Sequence, residues 1–395
     1  MYIHNVMPTE TPKQIAELYT VSEDSIRRIN NLCDLSPAPG EELLILIPTR
    51  TYKIQYGDTL EKISLRFGIR SSDISAMNPH IQDDFRIDDE ITLRYADRPL
   101  GMAVANGYFY KGCTADALRR ALPYTTYITF ASVIATERGL TRIFDDRDEV
   151  KLIKKKSKIP LVRIHDRKQN RFRKGANNKK YAEDLINVAT AGGYKGIVLD
   201  ACSQKDSAED FTAFIVELRK MMIGCDLILI TEINESSPIE FSEYADSSII
   251  YYPKYALNSP PSFKDGEQRI ISDFACNGES AKAFIDLPSL ASRSGNILCI
   301  DEALNKARAN HCVIEHNKST LLSHFGDKKQ GEYSFISLSG LRKIYELIDE
   351  FDYMGICFDI MRTPLSHIMM YNSLFKTSYH TSVRSREGCS RAVEE

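Results

Sequence analysis

The sequence predicts an α/β protein: a (β/α)8 barrel of the TIM type with a small α+β insertion, preceded by two βααβ modules. Three observations carry this prediction. From Pro99 onward, apolar runs of strand length alternate with amphipathic helical patterns through eight units, on the scale of the ~250 residues, plus insertions, that such a barrel needs. Before Pro99, one pattern of strand, two helices and strand occurs twice, at a period of about 45 residues, which is the mark of a repeat. Between Leu298 and Phe335 the interval is too long for one helix and holds two extra strand-like runs, Cys312 to Glu315 and Glu332 to Ile336.

Composition narrows the function classes. A chain of 395 residues exceeds one small core, so two or three domains are expected. The expected division is 1–49 and 50–96 for the modules, 97–380 for the barrel with its insertion at about 298–340, and 381–395 for a polar tail. The 43% hydrophobic and 27% charged content is that of an ordinary globular chain, and a net charge of −3 gives no reason to expect nucleic acid,. No apolar run reaches the ~18 residues of a membrane span. The first residues, MYIHNVMPTETPKQ, lack the basic and apolar regions of a signal peptide,. Nine cysteines without CxxC pairs, and the apolar neighbours of Cys225, Cys299 and Cys357, point to reduced core thiols. No cofactor or metal is expected: His165 and Asp166 stand together after the third barrel strand, but no second histidine follows at ligand spacing, and His311 and His316 fall in the insertion,.

The second module is the clearer copy. Tyr52 to Gln55 reads as a strand, Gly57-Asp58 as a turn, and Asp58 or Thr59 as the cap of a helix carrying Leu60, Ile63 and Phe67 on one face. Ser71 or Ser72 opens a helix with Ile74 and Met77; Asn78-Pro79 ends it, and Ile91 to Leu93 returns as a strand,. In the first module Thr9-Glu10-Thr11 takes the place of Gly57-Asp58-Thr59, Asn30-Asn31-Leu32 follows the second helix, and Glu42 to Ile47 closes. Pro48-Thr49-Arg50 is expected to be a short linker. YGDTLEKIS, the Asn-Pro pair and the apolar return strand resemble a LysM module. The resemblance implies binding of N-acetylglucosamine polymers such as peptidoglycan or chitin. Its groove lies between the loop of Gly57, Asp58, Thr59 and Leu60 and the loop of Asn78, Pro79, His80 and Ile81.

The barrel strands are expected at Gly101 to Phe109, Tyr127 to Val133, Ile159 to His165, Lys195 to Cys202, Asp226 to Ile233, Ser247 to Tyr252, Ala283 to Leu287 and Tyr353 to Ile360. Helices are expected at Ala115 to Leu122, Arg147 to Lys156, Tyr181 to Ala191, Asp206 to Met222 and Leu341 to Asp349. Alternation on the fourth strand, YKGIVLDAC, puts Val198, Asp200 and Cys202 on one face. A carboxylate at the C-terminal end of a barrel strand stands where such folds keep their chemistry. Glu232, Asp286 and Asp359 end other strands and could ring the same mouth. From Lys151 to Lys180 the chain is rich in lysine and arginine, and HDRKQNRFRKGANNKK after the third strand is expected in a loop at that face, able to attract acidic groups,.

YKGIVLDAC resembles the catalytic strand of glycoside hydrolase family 18, GYDGxxxDxE. That resemblance implies an Asp holding the substrate's acetamide, a Glu donating the proton, and a Tyr on the sixth strand. Asp200 and Tyr252 match the Asp and the Tyr, and Cys202 stands for the Glu. Pro253 follows the Tyr where an acid is usual, and Phe358 or Asp359 stands where the eighth strand carries Trp, a residue the chain lacks. A thiol is a poor substitute for a tuned carboxylic acid, whose loss removes roughly 10²–10⁴-fold in rate. Tandem LysM modules before such a barrel resemble the spore cortex-lytic N-acetylglucosaminidases of endospore-forming bacteria. The expectation is a peptidoglycan-binding protein of the spore envelope, made in the mother-cell cytoplasm, with an inactive barrel. The alternatives are a working cortex N-acetylglucosaminidase and an assembly protein that binds spore coat proteins.

Overall fold

The computed structural model describes residues 1–81, 86–97, 99–136, 139–166, 178–201, 208–234, 244–250, 280–293, 296–317, 321–327 and 331–377. Two βααβ units come first. In one, β1 (Tyr2–Asn5) pairs antiparallel with β2 (Glu42–Ile45), with α1 (Pro12–Tyr19) and α2 (Glu23–Ile29) between them in the chain. In the other, β3 (Pro48–Lys53) pairs with β4 (Glu90–Tyr95) around α3 (Leu60–Phe67) and α4 (Ser71–Met77). Pro48, Thr49 and Arg50 are therefore the start of β3 and not a linker, and Ala96 N donates to Ile47 O at 2.9 Å where one unit meets the next.

The two units share the same tie between the second helix and the return strand. Buried Asn30 donates to Ile26 O and Leu44 O and accepts from Leu44 N; Asn78 does the same with Ile74 O, Thr92 O and Thr92 N. Each Asn ties the end of a helix to the return strand, satisfying backbone groups that would otherwise be orphaned. Thr11 caps α1 in a capping box with Gln14, and Thr59 caps α3 by accepting from Lys62 N,. Where the second unit has Gly57 at φ 79°, the first has Thr9 at φ 68°, a conformation that costs a residue with a Cβ.

The barrel is closed. Strands β5 (Gly101–Phe109), β6 (Tyr127–Thr136), β8 (Ile159–Asp166), β9 (Gly196–Asp200), β10 (Ile228–Ile233), β11 (Ser247–Ile250), β12 (Ala283–Asp286) and β18 (Gly355–Asp359) pair in parallel, and β18 returns to β5. Helices α5 (Ala115–Ala121), α6 (Arg147–Lys155), α7 (Asn178–Gly192) and α8 (Ala208–Met222) follow the first four strands outside. Val104, Tyr127, Leu161, Val198, Ile230, Ile249, Phe284 and Cys357, one from each strand, fill the lower interior. The period of two then turns Arg163, Asp200, Glu232 and Asp286 into the same interior, one step nearer the C-terminal ends.

Several elements were not visible in the sequence. β7 (Gly139–Arg142) folds back antiparallel on β6. The insertion begins earlier than expected. Its strands β13 (Leu290–Arg293), β14 (Asn296–Cys299), β15 (Glu315–Asn317), β16 (Leu322–Asp327) and β17 (Gly331–Ile336) form an antiparallel sheet in the order β14-β13-β17-β16-β15, with α9 (Ile300–Ala309) between β14 and β15. Cys312 to Ile314 is loop, and the strand starts at Glu315. After α10 (Leu338–Glu350) and β18 come α11 (Leu365–Leu374) and β19 (Phe375–Thr377), which lies parallel to β5. α11 is buried nearly all round, from Ser366 through Tyr371 and at Ser373 and Leu374, so its sequence carries no amphipathic stripe. The expected tail, 381–395, lies outside the described residues.

His367 on α11 is almost fully buried, and burial pulls its pKa down to about 3. The folded chain thus keeps it neutral while the unfolded chain protonates it near the reference value of about 6.5. Its contribution to stability is complete above that pH and is lost as pH falls toward 3. His367→Leu is expected to flatten the fall in unfolding free energy between pH 6.5 and 4 by at most about 1.4 kcal/mol per pH unit, read as the difference between urea titrations of the two proteins at each pH.

Candidate functional site

The mouth of the barrel is built around Arg163. Strand β8 reads IPLVRIHD, and alternation puts Leu161, Arg163 and His165 on the inner face,. Arg163 Nε donates to both oxygens of Glu232 at 2.8 Å, and its Nη2 lies 2.5 Å from Glu232 Oε2 and 3.6 Å from Asp200 Oδ2. Tyr108 OH, from β5, donates to Glu232 Oε1 at 3.1 Å. Burial works against the Arg163 charge, but Glu232 and Asp200 outweigh it, and its pKa stands above the ordinary guanidinium value. Burial and the Glu232 charge likewise push the Tyr108 hydroxyl well above its usual range.

Asp200 has a second partner. Its Oδ2 lies 3.0 Å from His165 Nδ1, so a neutral His165 donates from Nδ1 and turns an acceptor, Nε2, elsewhere. His165 keeps 44% of its side chain exposed while Asp200 keeps 9% and Glu232 1%. Asp359, at the end of β18, accepts from Tyr110 OH at 3.2 Å and from Met361 N and Arg362 N at 2.9 and 3.1 Å, which makes it the organiser of the turn that follows. The neighbouring Phe358 points the other way, into the core outside the barrel. Asp286 ends β12 half-buried and contributes to the raised pKa of buried Cys357.

Asp200, Glu232, Asp286 and Asp359 thus all stand at the ends of barrel strands. Arg163, counted in the sequence among the basic residues of 151–180, is an interior cation. Arg163 was not singled out for the mouth, although the alternation of β8 carried the signal, and His165, expected to open a loop there, is the penultimate residue of the strand. Cys202, Tyr252 and Pro253, and residues 167–177 of the basic segment, lie outside the described residues.

In the second βααβ unit, the expected glycan-contact residues divide into two groups. Asp58 accepts from Tyr52 OH at 2.7 Å and Gln55 N at 2.9 Å, Thr59 caps α3, and Asn78 is consumed by the return strand. Leu60 and Ile81 pack in the unit's own core. Gly57 and His80 are exposed and Pro79 is half-buried. Tyr56, beside Gly57, is 92% exposed and was missed by the sequence reading.

Residues 52–88 match the LysM domain. The chain is 26% identical over 237 residues to the "Putative sporulation-specific glycosylase YdhD" of Bacillus subtilis (strain 168), covering 55% of each, so it spans about half the length of this curated relative. The crystal structure of the Bacillus cereus spore cortex-lytic enzyme SleL matches with a TM-score of 0.71, at 15% identity, over 96% of this chain and 99% of that one. The GH18 chitinase from Cycas revoluta, solved in complex with (GlcNAc)3, matches with a TM-score of 0.60 at 12% identity, over 69% of this chain and 99% of that one. At these identities the likeness is one of fold: the barrel shares the fold of GH18 chitinases, and nearly the whole chain follows the fold of SleL.

The Arg163 cluster makes a stability test. Arg163→Met strands Glu232 as a buried charge and is expected to destabilise by about 3–5 kcal/mol, whereas Arg163→Met with Glu232→Leu should recover most of that loss. Denaturant unfolding of the two variants checks this; equal loss in both would show that Arg163 acts by other contacts.

Proposed function

We propose that the protein, whose LysM unit at 50–96 follows a LysM-like unit at 1–49, binds N-acetylglucosamine polymer, peptidoglycan in particular, in the spore envelope. On this reading the GH18-like barrel, 97–380, serves binding or scaffolding of coat components and does not hydrolyse glycan. The observation that carries the second half is the state of the carboxylates at the mouth. Asp200 is engaged by His165 and Arg163, Glu232 by Arg163 and Tyr108, and Asp359 by Tyr110 and two backbone amides. In family 18 the substrate's own acetamide is the nucleophile, so the enzyme must supply a proton donor. The position that would supply it is Cys202. A thiol with a reference pKa near ~8.5 is a weak match for that task at neutral pH. An acid tied to a guanidinium and a hydroxyl, as Glu232 is, already uses its oxygens as acceptors.

The competing reading is an active N-acetylglucosaminidase, favoured by the cortex-lytic enzyme whose fold the chain shares. Reducing-end release from purified cortex fragments separates the two. The natural chain is expected to bind the fragments and release no reducing ends, Asp200→Asn to bind equally, and Cys202→Glu to recover only partial hydrolysis, since misplacement by about 1 Å can cost ~10²-fold. Turnover by the natural chain that disappears in Asp200→Asn would establish the enzyme.

A further inference from the structure

The two βααβ units share the asparagine tie to the return strand and differ in what surrounds their loops. In the first, the α2–β2 loop is gripped by the insertion. Arg308 of α9, with no exposed side-chain surface, donates to Asn30 O at 3.0 Å, to Asn31 O at 2.8 Å and to Glu41 Oε1 at 2.6 Å. Ile314 N donates to Pro39 O at 2.9 Å, and His316 Nε2 lies 2.6 Å from Gly40 O. Asn31 Nδ2 donates to Asp301 at 3.1 Å, while Ser339 N and Oγ donate to Glu42 at 2.8 and 2.6 Å. The carbonyls of residues 30, 31, 39 and 40 in that loop therefore each already accept from, or lie against, a group of the insertion.

The backbone carries the same message. A Cβ on Gly40 would lie 2.0 Å from Ile314 O, so the insertion approaches where only glycine fits,. At the matching position the second unit has Asp88, at φ 73°, and at the first loop the second unit has open Gly57 where the first has Thr9. The glycine stands in the docked loop of one unit and in the open loop of the other. The second unit meets the barrel through the C-terminal end of α4, where Tyr124 OH donates to Ala76 O at 3.0 Å; Tyr56, Gly57 and His80 stay exposed.

We propose that the first unit is an internal clasp joining the N-terminal pair to the barrel's insertion, and that the chain binds N-acetylglucosamine polymer through the second unit alone. The second clause rests on the glycan-binding reading given above; the clasp does not. One unit keeps the repeat fold and uses its loop to fix the other's position against the barrel.

The test uses the full chain. Backbone amide shifts are followed by NMR during titration with N-acetylglucosamine hexamer, and hydrogen exchange is measured separately without sugar. Expected are saturable shifts at residues 56–60 and at His80 and Ile81, and none at the non-proline residues of 7–11 or 30–41, together with at least ten-fold faster exchange across residues 30–45 in Arg308→Ala, with the second unit unchanged. Asp301→Ala, which removes one hydrogen bond and no buried ion pair, gives a smaller acceleration in the same segment if Arg308→Ala does not fold. Saturable shifts at 30–41 in the natural chain, or unchanged exchange in the folded variant, overturn the proposal. Absence of shifts in both units sinks the glycan-binding reading, and the exchange measurement then decides the clasp alone.

Discussion

The guanidinium of Arg163 sits between two barrel-strand carboxylates, and the mouth of the barrel is arranged around it. Glu232 and Asp200 face one enclosed space from neighbouring strands, where each loses hydration and repels the other. Both can be tolerated there only with a cation whose donors reach each of them. A planar fork with five donors does this; a lysine, a point charge with a single reach, does not. Tyr108 occupies a remaining acceptor position of Glu232, so the buried acid has few lone pairs left without a donor. Above this floor His165, steered by Asp200, keeps 44% of its side chain exposed. Among the described residues, the mouth thus presents an ion cluster and an oriented imidazole.

A second arginine sets how the chain's parts sit on one another. Arg308 places a fully enclosed charge between α9 and the first βααβ unit, and five protein acceptors converge on it from Asn30, Asn31, Glu41 and Asn305. Such an arrangement contributes little net stability against an apolar alternative, yet any movement that separates the partners leaves a buried charge unpaired. It works as a register device. The apolar core agrees with this: Ile29, Ala38, Leu44, Leu46 and Ala76 of the two units belong to the same continuous cluster as the residues packed outside the barrel strands. Residues of both N-terminal units thus share a core with the barrel.

What the sequence by itself determined is what periodicity encodes. All eight barrel strands were legible because parallel strands buried on both faces read as short continuous apolar runs, and both βααβ units were legible because caps, turns and apolar spacing recur in order. Asp200, Glu232, Asp286 and Asp359 could be placed at strand ends by alternation alone. Tertiary structure decided the rest. α11 was hidden because burial on every side erases the amphipathic signal,. β13 and β14 are four residues each, too short to show an alternation. Arg163 looked like one more residue of a basic run, since local sequence does not reveal which carboxylate lies across the barrel; Glu232 is far along the chain and one strand beyond the adjacent β9. Thr9 and Gly40 carried a trace of the docking of the first unit, but its cause, Ile314 lying 2.0 Å from where a Cβ would stand, belongs to a segment hundreds of residues away that only folding brings into contact.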